Sequence, residues 1–405
     1  MNHKNMTNSS ADIARLENNI WKMYLYMILY SLMFFTPIIV LFYQANGLSL
    51  AQIMILQSAA SILFVLLEVP SGYFADIFGR KKALALTGIF AAMAMSVFAL
   101  STNFYHFLFA GVLWAMAGVF ISGADSAFIY DTLKNLKREN QYKRIWGNIV
   151  FYYAVGVSIA SIIGGFLGKL SFRYPFYAMI PFMFLLIPLS LSLEEPKRHK
   201  AIYTKNYLFD LFKVIKLAVF KNKKLRWLLA YSAIVVGFIN IAYFLYQPYF
   251  KLSGLDIVYF GVVFAGFNVV VAISAKYSHL IEEKIGQKHS LVLLSTLTGL
   301  GFLLMSNFIY LFSFAFALLI QFVKGFSSVV VSDYVHQLTD SNIRATVLSV
   351  KSLIEKMFFA VITPFIGWAV DVYSLAQALS LSGVIVLFFG AISLFLFWRS
   401  KSVLI

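Results

Sequence analysis

The sequence predicts an all-α membrane protein whose twelve spanning helices form two pseudo-repeated six-helix halves. Three observations carry that prediction. Hydrophobic residues make up 61% of the 405 and charged residues only 12%, against about 25% charged in a soluble domain, so the chain has too little polar surface to face water. Twelve runs reach the length of about 20 apolar residues that a spanning helix needs. The second half also repeats the first when the sequence is shifted by 207 positions.

Taken in order, residues 1–22 form a polar tail with an amphipathic piece at Ala11–Ile20 and no signal-peptide pattern of basic residues, short apolar run and cleavage site. The six spans of the first half, within 23–193, fall at 23–44, 51–75, 83–101, 106–132, 147–168 and 174–193. A polar linker follows at 194–226. In it Leu208, Phe209, Phe212 and Ile215 share one helix face, with Lys213 and Lys216 near its edge, the pattern of an interfacial helix. The second half, 227–398, places spans at 227–249, 257–280, 290–306, 309–335, 346–370 and 376–398, and residues 399–405 form a C-terminal tail. Forty-two Phe and 23 Tyr suit lipid-facing and interfacial positions. Lys and Arg crowd the loops on one side. Only Lys169, Arg173 and Lys251 fall in loops on the other side, which by the positive-inside rule puts both termini in the cytoplasm. The same topology accounts for the net charge of +16 without nucleic acid. No cysteine is present, which excludes structural disulfides and thiolate metal sites.

The repeat is specific. Gly47-Leu48 lands on Gly254-Leu255, Gly79 on Gly286, Lys81 on Lys288, Gly118 on Gly325, and Asp76 on the acid Glu283. Two copies of a six-span unit are the sequence mark of a secondary transporter.

Between spans two and three the chain reads Gly72-x-x-x-Asp76-x-x-Gly79-Arg80-Lys81. This motif, its weaker echo between spans eight and nine, and the 6+6 layout closely resemble the major facilitator superfamily over essentially the whole chain. The resemblance implies two bundles that rock around a central cavity. Gly72 would allow close approach to span eleven, and Asp76 and Arg80 would latch the bundles in the outward-open state. The motif is nearest to that of bacterial exporters, which implies a multi-pass protein of the bacterial cytoplasmic membrane, monomeric and without cofactor. Two departures stand against a drug antiporter. Where those exporters carry Arg-x-x-Gln-Gly in span four, this chain has Trp114-Ala115-Met116-Ala117-Gly118. Of the Gly-Pro-x-x-Gly-Gly motif in span five only Gly164-Gly165 remains, with a related Thr363-Pro364-Phe365-Ile366-Gly367 in span eleven.

Ionisable residues inside spans are costly, which makes them functional candidates. Asp125 and Lys324 fall on spans four and ten, which line the cavity in this superfamily, and Glu355 falls on span eleven. With Tyr26 and Tyr30 on span one and Asn240, Tyr243 and Gln247 on span seven, they form the expected substrate site; packing is the alternative for the aromatics. Asp125, and after it Glu68 beside Pro70, are the expected proton carriers. Lys351 and Lys356 read equally as snorkelling side chains, Asp131 and Asp333 as gate or cap residues, and Lys276 as half of a structural pair.

The expected function is secondary active transport of a small organic solute by alternating access, with the proton as coupling ion. Export is favoured over proton-coupled or facilitated uptake only through the motif's resemblance. No phosphate-cradling Gly-x-x-x-x-Gly-Lys-Ser/Thr loop supplies ATP binding. The six histidines do not cluster within any span, so a membrane-embedded metal or haem enzyme lacks ligands. A transporter-like sensor or scaffold stays open.

Overall fold

Two turns show how closely the halves repeat. In the computed structural model, which describes residues 10–197, 222–340 and 343–400, Gly47 and Gly254 adopt left-handed φ angles of 84° and 82°. The Leu48 amide donates to the Tyr43 carbonyl, and the Leu255 amide, 207 positions on, donates to the Phe250 carbonyl. This is the six-to-one closure of a helix C-terminus that glycine permits without steric cost. Gly79 (φ 115°) and Gly286 (φ 72°) likewise break the helix at matching positions.

Among the described residues eleven helices are long and apolar enough to cross a membrane. They are span two (Leu50–Phe78), span three (Arg80–Leu100), span four (Phe104–Ile121 and Ala124–Asn135), span five (Tyr142–Leu170) and span six (Tyr174–Leu191). In the second half they are span seven (Lys223–Leu252), span eight (Ile257–Lys276), span nine (Ser278–Asn307), span ten (Leu311–Phe316 and Ala317–Gln337), span eleven (Arg344–Val372) and span twelve (Leu375–Arg399). Span one is the twelfth, but it is not the continuous run that its hydropathy suggests. A helix Ser10–Ser31 and a short helix Ile39–Ala45 flank an irregular segment before and through Pro37. Proline lacks an N–H, and it disfavours helical backbone in the residue before it. The interfacial helix expected at 208–215 lies outside the described residues.

The chain divides into two compact units. One unit holds the residues up to Thr36 and spans two to six from Leu66; the other holds Pro37–Val65 and everything described from Asn222 on. In the first unit, span three packs on span six where a Cβ on Gly88 would lie 3.0 Å from the Leu186 Cβ. Span five approaches the break in span one so closely that a Cβ on Gly164 would sit 1.9 Å from the Phe34 carbonyl oxygen. The surviving half of the span-five motif therefore has a packing reason. The buried Tyr26 hydroxyl donates to the Leu84 carbonyl, 2.9 Å away, and fixes span one to span three.

In the second unit, span seven is buried along most of its length. Gly325 brings span ten onto span eight, where an added Cβ would lie 2.3 Å from the Val271 carbonyl oxygen. The break in span one frees the Val40 and Leu41 amides. In hydrocarbon such groups must find a partner, and the fully buried Gln247 of span seven provides it, accepting from Val40 N–H at 2.8 Å and Leu41 N–H at 3.4 Å. Asp371, at the end of span eleven, caps span two by accepting from Leu50 N–H at 3.0 Å and Ala51 N–H at 2.8 Å. Gly367 lets the two helices touch there, with only 2.8 Å between its added Cβ and the Leu50 carbonyl oxygen. Further along, Ser58 and Ser61 donate to the Ala360 and Lys356 carbonyls.

A carboxylate at a helix N-terminus is favoured by orphan amides and helix dipole together, by about 0.3–1 kcal/mol at exposed sites. Asp371→Asn should therefore speed deuterium uptake at the start of span two by about two- to fivefold, read by mass spectrometry on a peptide spanning Leu48–Leu56. Unchanged uptake would show that the cap carries no stability.

Candidate functional site

The residues expected to act together separate into two groups, one in each unit. In the first unit, span four breaks at Ser122–Gly123, where Gly123 takes a left-handed φ of 76° and the helix restarts at Ala124. The break places Asp125 in the first turn of the new helix, half-buried, with its Oδ1 accepting from the Ser126 amide at 2.7 Å. Tyr26, Tyr30 and Tyr153 lie within electrostatic reach of its carboxylate. Among the described residues no cation lies within 4.0 Å of it. Trp114 reaches this region through Tyr30, against which it stacks at 5.9 Å between ring centroids. Asp131, six residues on, is held by Arg80, whose guanidinium also donates to the Ala127 carbonyl.

The Gly72–Lys81 motif sits beside that pair. Arg80 reaches Asp76 only at 4.0 Å, so Asp131 is its main partner. Gly79 starts span three, and there Glu195 accepts from the backbone N–H of Arg80 at 2.9 Å and of Lys81 at 2.8 Å. Within its own unit Gly72 meets nothing at the position of a Cβ. Glu68 is half-buried near the middle of span two, and its carbonyl accepts from the Ser71 hydroxyl at 3.0 Å.

In the second unit, spans seven, ten and eleven and the first part of span two line a half-open cavity of about 350 Å³. Of the expected site residues, Lys324, Asn240 and Tyr243 line it. Gln57 and Ser61, one turn apart on span two, add polar groups, as do Gln321 and Lys356. Ile239, Phe244 and Phe359 form the apolar wall. The Lys324 side chain is exposed to this space, and among the described residues its ammonium has no acidic partner. The Lys356 ammonium lies 3.7 Å from the centroid of the Phe64 ring.

Two expected members stand elsewhere. Glu355 receives Lys351 at 2.9 Å and the Ser232 hydroxyl, and Gln247 is committed to the break in span one. Neither lines the cavity. Gln57, Ser61, Gln321 and Lys356 were not expected. The available signal was their spacing: Gln57 and Ser61 at i,i+4, and Gln321 and Lys324 at i,i+3, place polar groups on one helix face.

Comparison with known proteins decides the family, since the family model of the Major Facilitator Superfamily matches residues 23–350. The chain belongs to the Major Facilitator Superfamily. Within the superfamily it is 25% identical over 277 residues to the uncharacterized MFS-type transporter YxaM of Bacillus subtilis (strain 168), covering 66% of this chain and 67% of that one. It is 23% identical over 280 residues to the class H tetracycline resistance protein of Pasteurella multocida, covering 67% of each. A shorter match, 31% over 152 residues, joins it to the multidrug efflux protein YfmO of Bacillus subtilis (strain 168), over 36% of this chain and 35% of that one. Among solved structures, the nucleoside transporter NupG superposes with a TM-score of 0.76 at 15% identity, covering 96% of this chain and 99% of that one. The D-xylose-proton symporter gives 0.69 at 13% identity, covering 96% and 98%. At such identities the likeness of these superfamily structures is one of fold.

Proposed function

We propose that the chain is a secondary active transporter that moves a small organic solute across the bacterial cytoplasmic membrane by alternating access, exporting it in exchange for protons. The observation that carries this reading is the pairing of a polar cavity inside membrane-spanning helices with an unpaired carboxylate in a broken span. The half-open cavity around Lys324 and Asn240 offers a solute site between spans. Asp125, without a cation partner among the described residues, is the group that a proton cycle needs. Efflux and resistance proteins among the relatives support the outward direction. The positive loops support cytoplasmic termini, and the duplicated halves 23–193 and 227–398 support a two-bundle exchanger.

Proteoliposomes test it. Vesicles loaded at pH 7.5 with an isotope-labelled bacterial metabolite extract are diluted into buffer at pH 6.0, and the retained solutes are identified by mass spectrometry. An antiporter loses its solute faster with the gradient than without. A symporter loses it more slowly, and a uniporter is indifferent. No loss beyond protein-free vesicles, from well-inserted protein, would leave a sensor or scaffold.

A further inference from the structure

We infer that the second unit binds an anionic phospholipid of the inner leaflet, its headgroup cradled at the end of span twelve by Lys224, Lys288 and Arg399. The site is separate from the solute cavity, and the proposed cytoplasmic termini supply only the name of the leaflet. Three helices bring these cations to one helical turn. The Lys224 ammonium, in the first turn of span seven, lies 5.1 Å from the centroid of the Phe397 ring. The Lys288 ammonium, just past the break at Gly286 in span nine, lies 5.1 Å from that of Trp398. Arg399 closes span twelve, its guanidinium carbon 5.4 Å from the Phe395 ring centroid. Packing fixes the three helices together. The buried Tyr231 hydroxyl of span seven donates to the Leu291 carbonyl of span nine, and a Cβ on Gly390 of span twelve would lie 3.0 Å from the Ser295 Cβ of span nine. Among the described residues none of the three cations has a carboxylate within 4.0 Å. An aromatic face attracts a cation but does not neutralise it.

The sequence repeat identifies the charge that is missing. Ser295 is the mate of Gly88 under the shift of 207, and Gly88 packs on Leu186 of span six as Ser295 packs on Gly390 of span twelve. The ends of spans six and twelve therefore correspond. Just past span six, Glu195 accepts from the backbone N–H of Arg80 and of Lys81. The mates of those residues are Gln287 and Lys288. Lys288 meets Trp398 rather than an acid, and no acid follows Asp371 in the sequence. A phosphodiester would supply the negative charge that the first unit draws from its own chain. The adjoining surface fits a lipid rather than a soluble phosphate. Phe388, Ile392 and Phe395 are exposed and, at i, i+4 and i+7, form one stripe that leads to Arg399. An acyl chain laid along that stripe places its phosphate among the three cations. Trp398 is also exposed, as an indole at a membrane interface should be.

Native mass spectrometry of the full-length protein, titrated with phosphatidylglycerol or phosphatidylethanolamine, tests the cradle. The wild type should retain phosphatidylglycerol in preference. Each cation beside an anionic headgroup strengthens binding about fivefold. Lys224→Gln/Lys288→Gln/Arg399→Gln should therefore weaken phosphatidylglycerol binding about a hundredfold and abolish the preference. Lys134→Gln/Lys137→Gln/Lys143→Gln removes the same charge from exposed side chains of the first unit and should keep it. If the cradle triple variant fails to fold, Lys288→Gln alone, at an exposed position, should still weaken binding about fivefold. Glycerol phosphate carries the headgroup chemistry without acyl chains and should not displace the lipid. Displacement by it would assign the cradle to a soluble phosphate and overturn the lipid. Absence of a preference in the wild type, an undiminished preference in the cradle variants, or an equal loss in the first-unit variant would overturn the cradle, leaving the general attraction of a basic protein. None of these outcomes bears on transport, which the vesicles above read separately.

Discussion

Gly164→Ala is expected to remove most of the folded protein, although it adds a single methyl group. The Cβ would sit 1.9 Å from the Phe34 carbonyl oxygen, 2.8 Å from its carbon and 3.1 Å from its Cα, all of them backbone atoms that cannot rotate aside. Span five and the broken segment of span one would have to part by more than an ångström. Overpacking of this kind costs about 3 kcal/mol, at the upper end of its usual range, a large fraction of a marginal stability. Gly156→Ala should be milder, since its methyl group meets mainly the Ser31 side chain. Gly147→Ala is the control in the same helix: its Cβ meets nothing within 4 Å, and alanine is the better helix former by about 0.5–1 kcal/mol. Monodisperse yield and melting temperature after purification should rank the three with Gly147→Ala highest and Gly164→Ala lowest. Gly164→Ala at wild-type yield and melting temperature would mean that spans one and five are not in contact through that glycine.

Much of this architecture was legible because it depends on local chemistry that repeats. The 207-residue shift placed glycine on glycine, and the paired turns at Gly47 and Gly254 share both φ and hydrogen bonding. Hydropathy found the spans but not the breaks at Pro37 and Gly123, since an apolar run looks the same whether or not its backbone stays helical. The role of Gln247 follows from the hidden break at Pro37 and that of Asp371 from the start of span two, because each partners amides that are free only where a helix starts. Lys356 read as a snorkelling side chain because periodicity gives a face but not what the face meets. Glu355 read as a site residue for the same reason, while Lys351, one turn before it, was already its partner. The motif read as a latch built on Asp76 and Arg80, and what its spacing did not give is that Asp131 of span four lies closer to Arg80 than Asp76 does.

Asp125→Asn is expected to uncouple transport from the proton without unfolding the protein. Of the two acids on the helix Ala124–Asn135, Asp131 is bound by Arg80 and Asp125 is not. The half-buried Asp125 carboxylate accepts from the Ser126 amide, with Tyr26, Tyr30, Tyr142 and Tyr153 in electrostatic reach. An ionised carboxylate so placed in a span is penalised when water leaves it and relieved when a proton joins it, the alternation that coupling requires. Asparagine keeps the shape and keeps an oxygen to accept from the Ser126 N–H, but it cannot take up a proton near neutral pH. Solute exchange between vesicle and medium should therefore continue at a measurable rate, while the acceleration by an acid exterior should vanish. Glu68→Gln, on span two, should retain the acceleration if Asp125 is the carrier and lose it if the two acids share the proton. Wild-type acceleration in Asp125→Asn would remove Asp125 from the cycle. Wild-type acceleration in the double Asp125→Asn/Glu68→Gln protein as well would place the proton on some other group, or exclude proton coupling through these spans altogether.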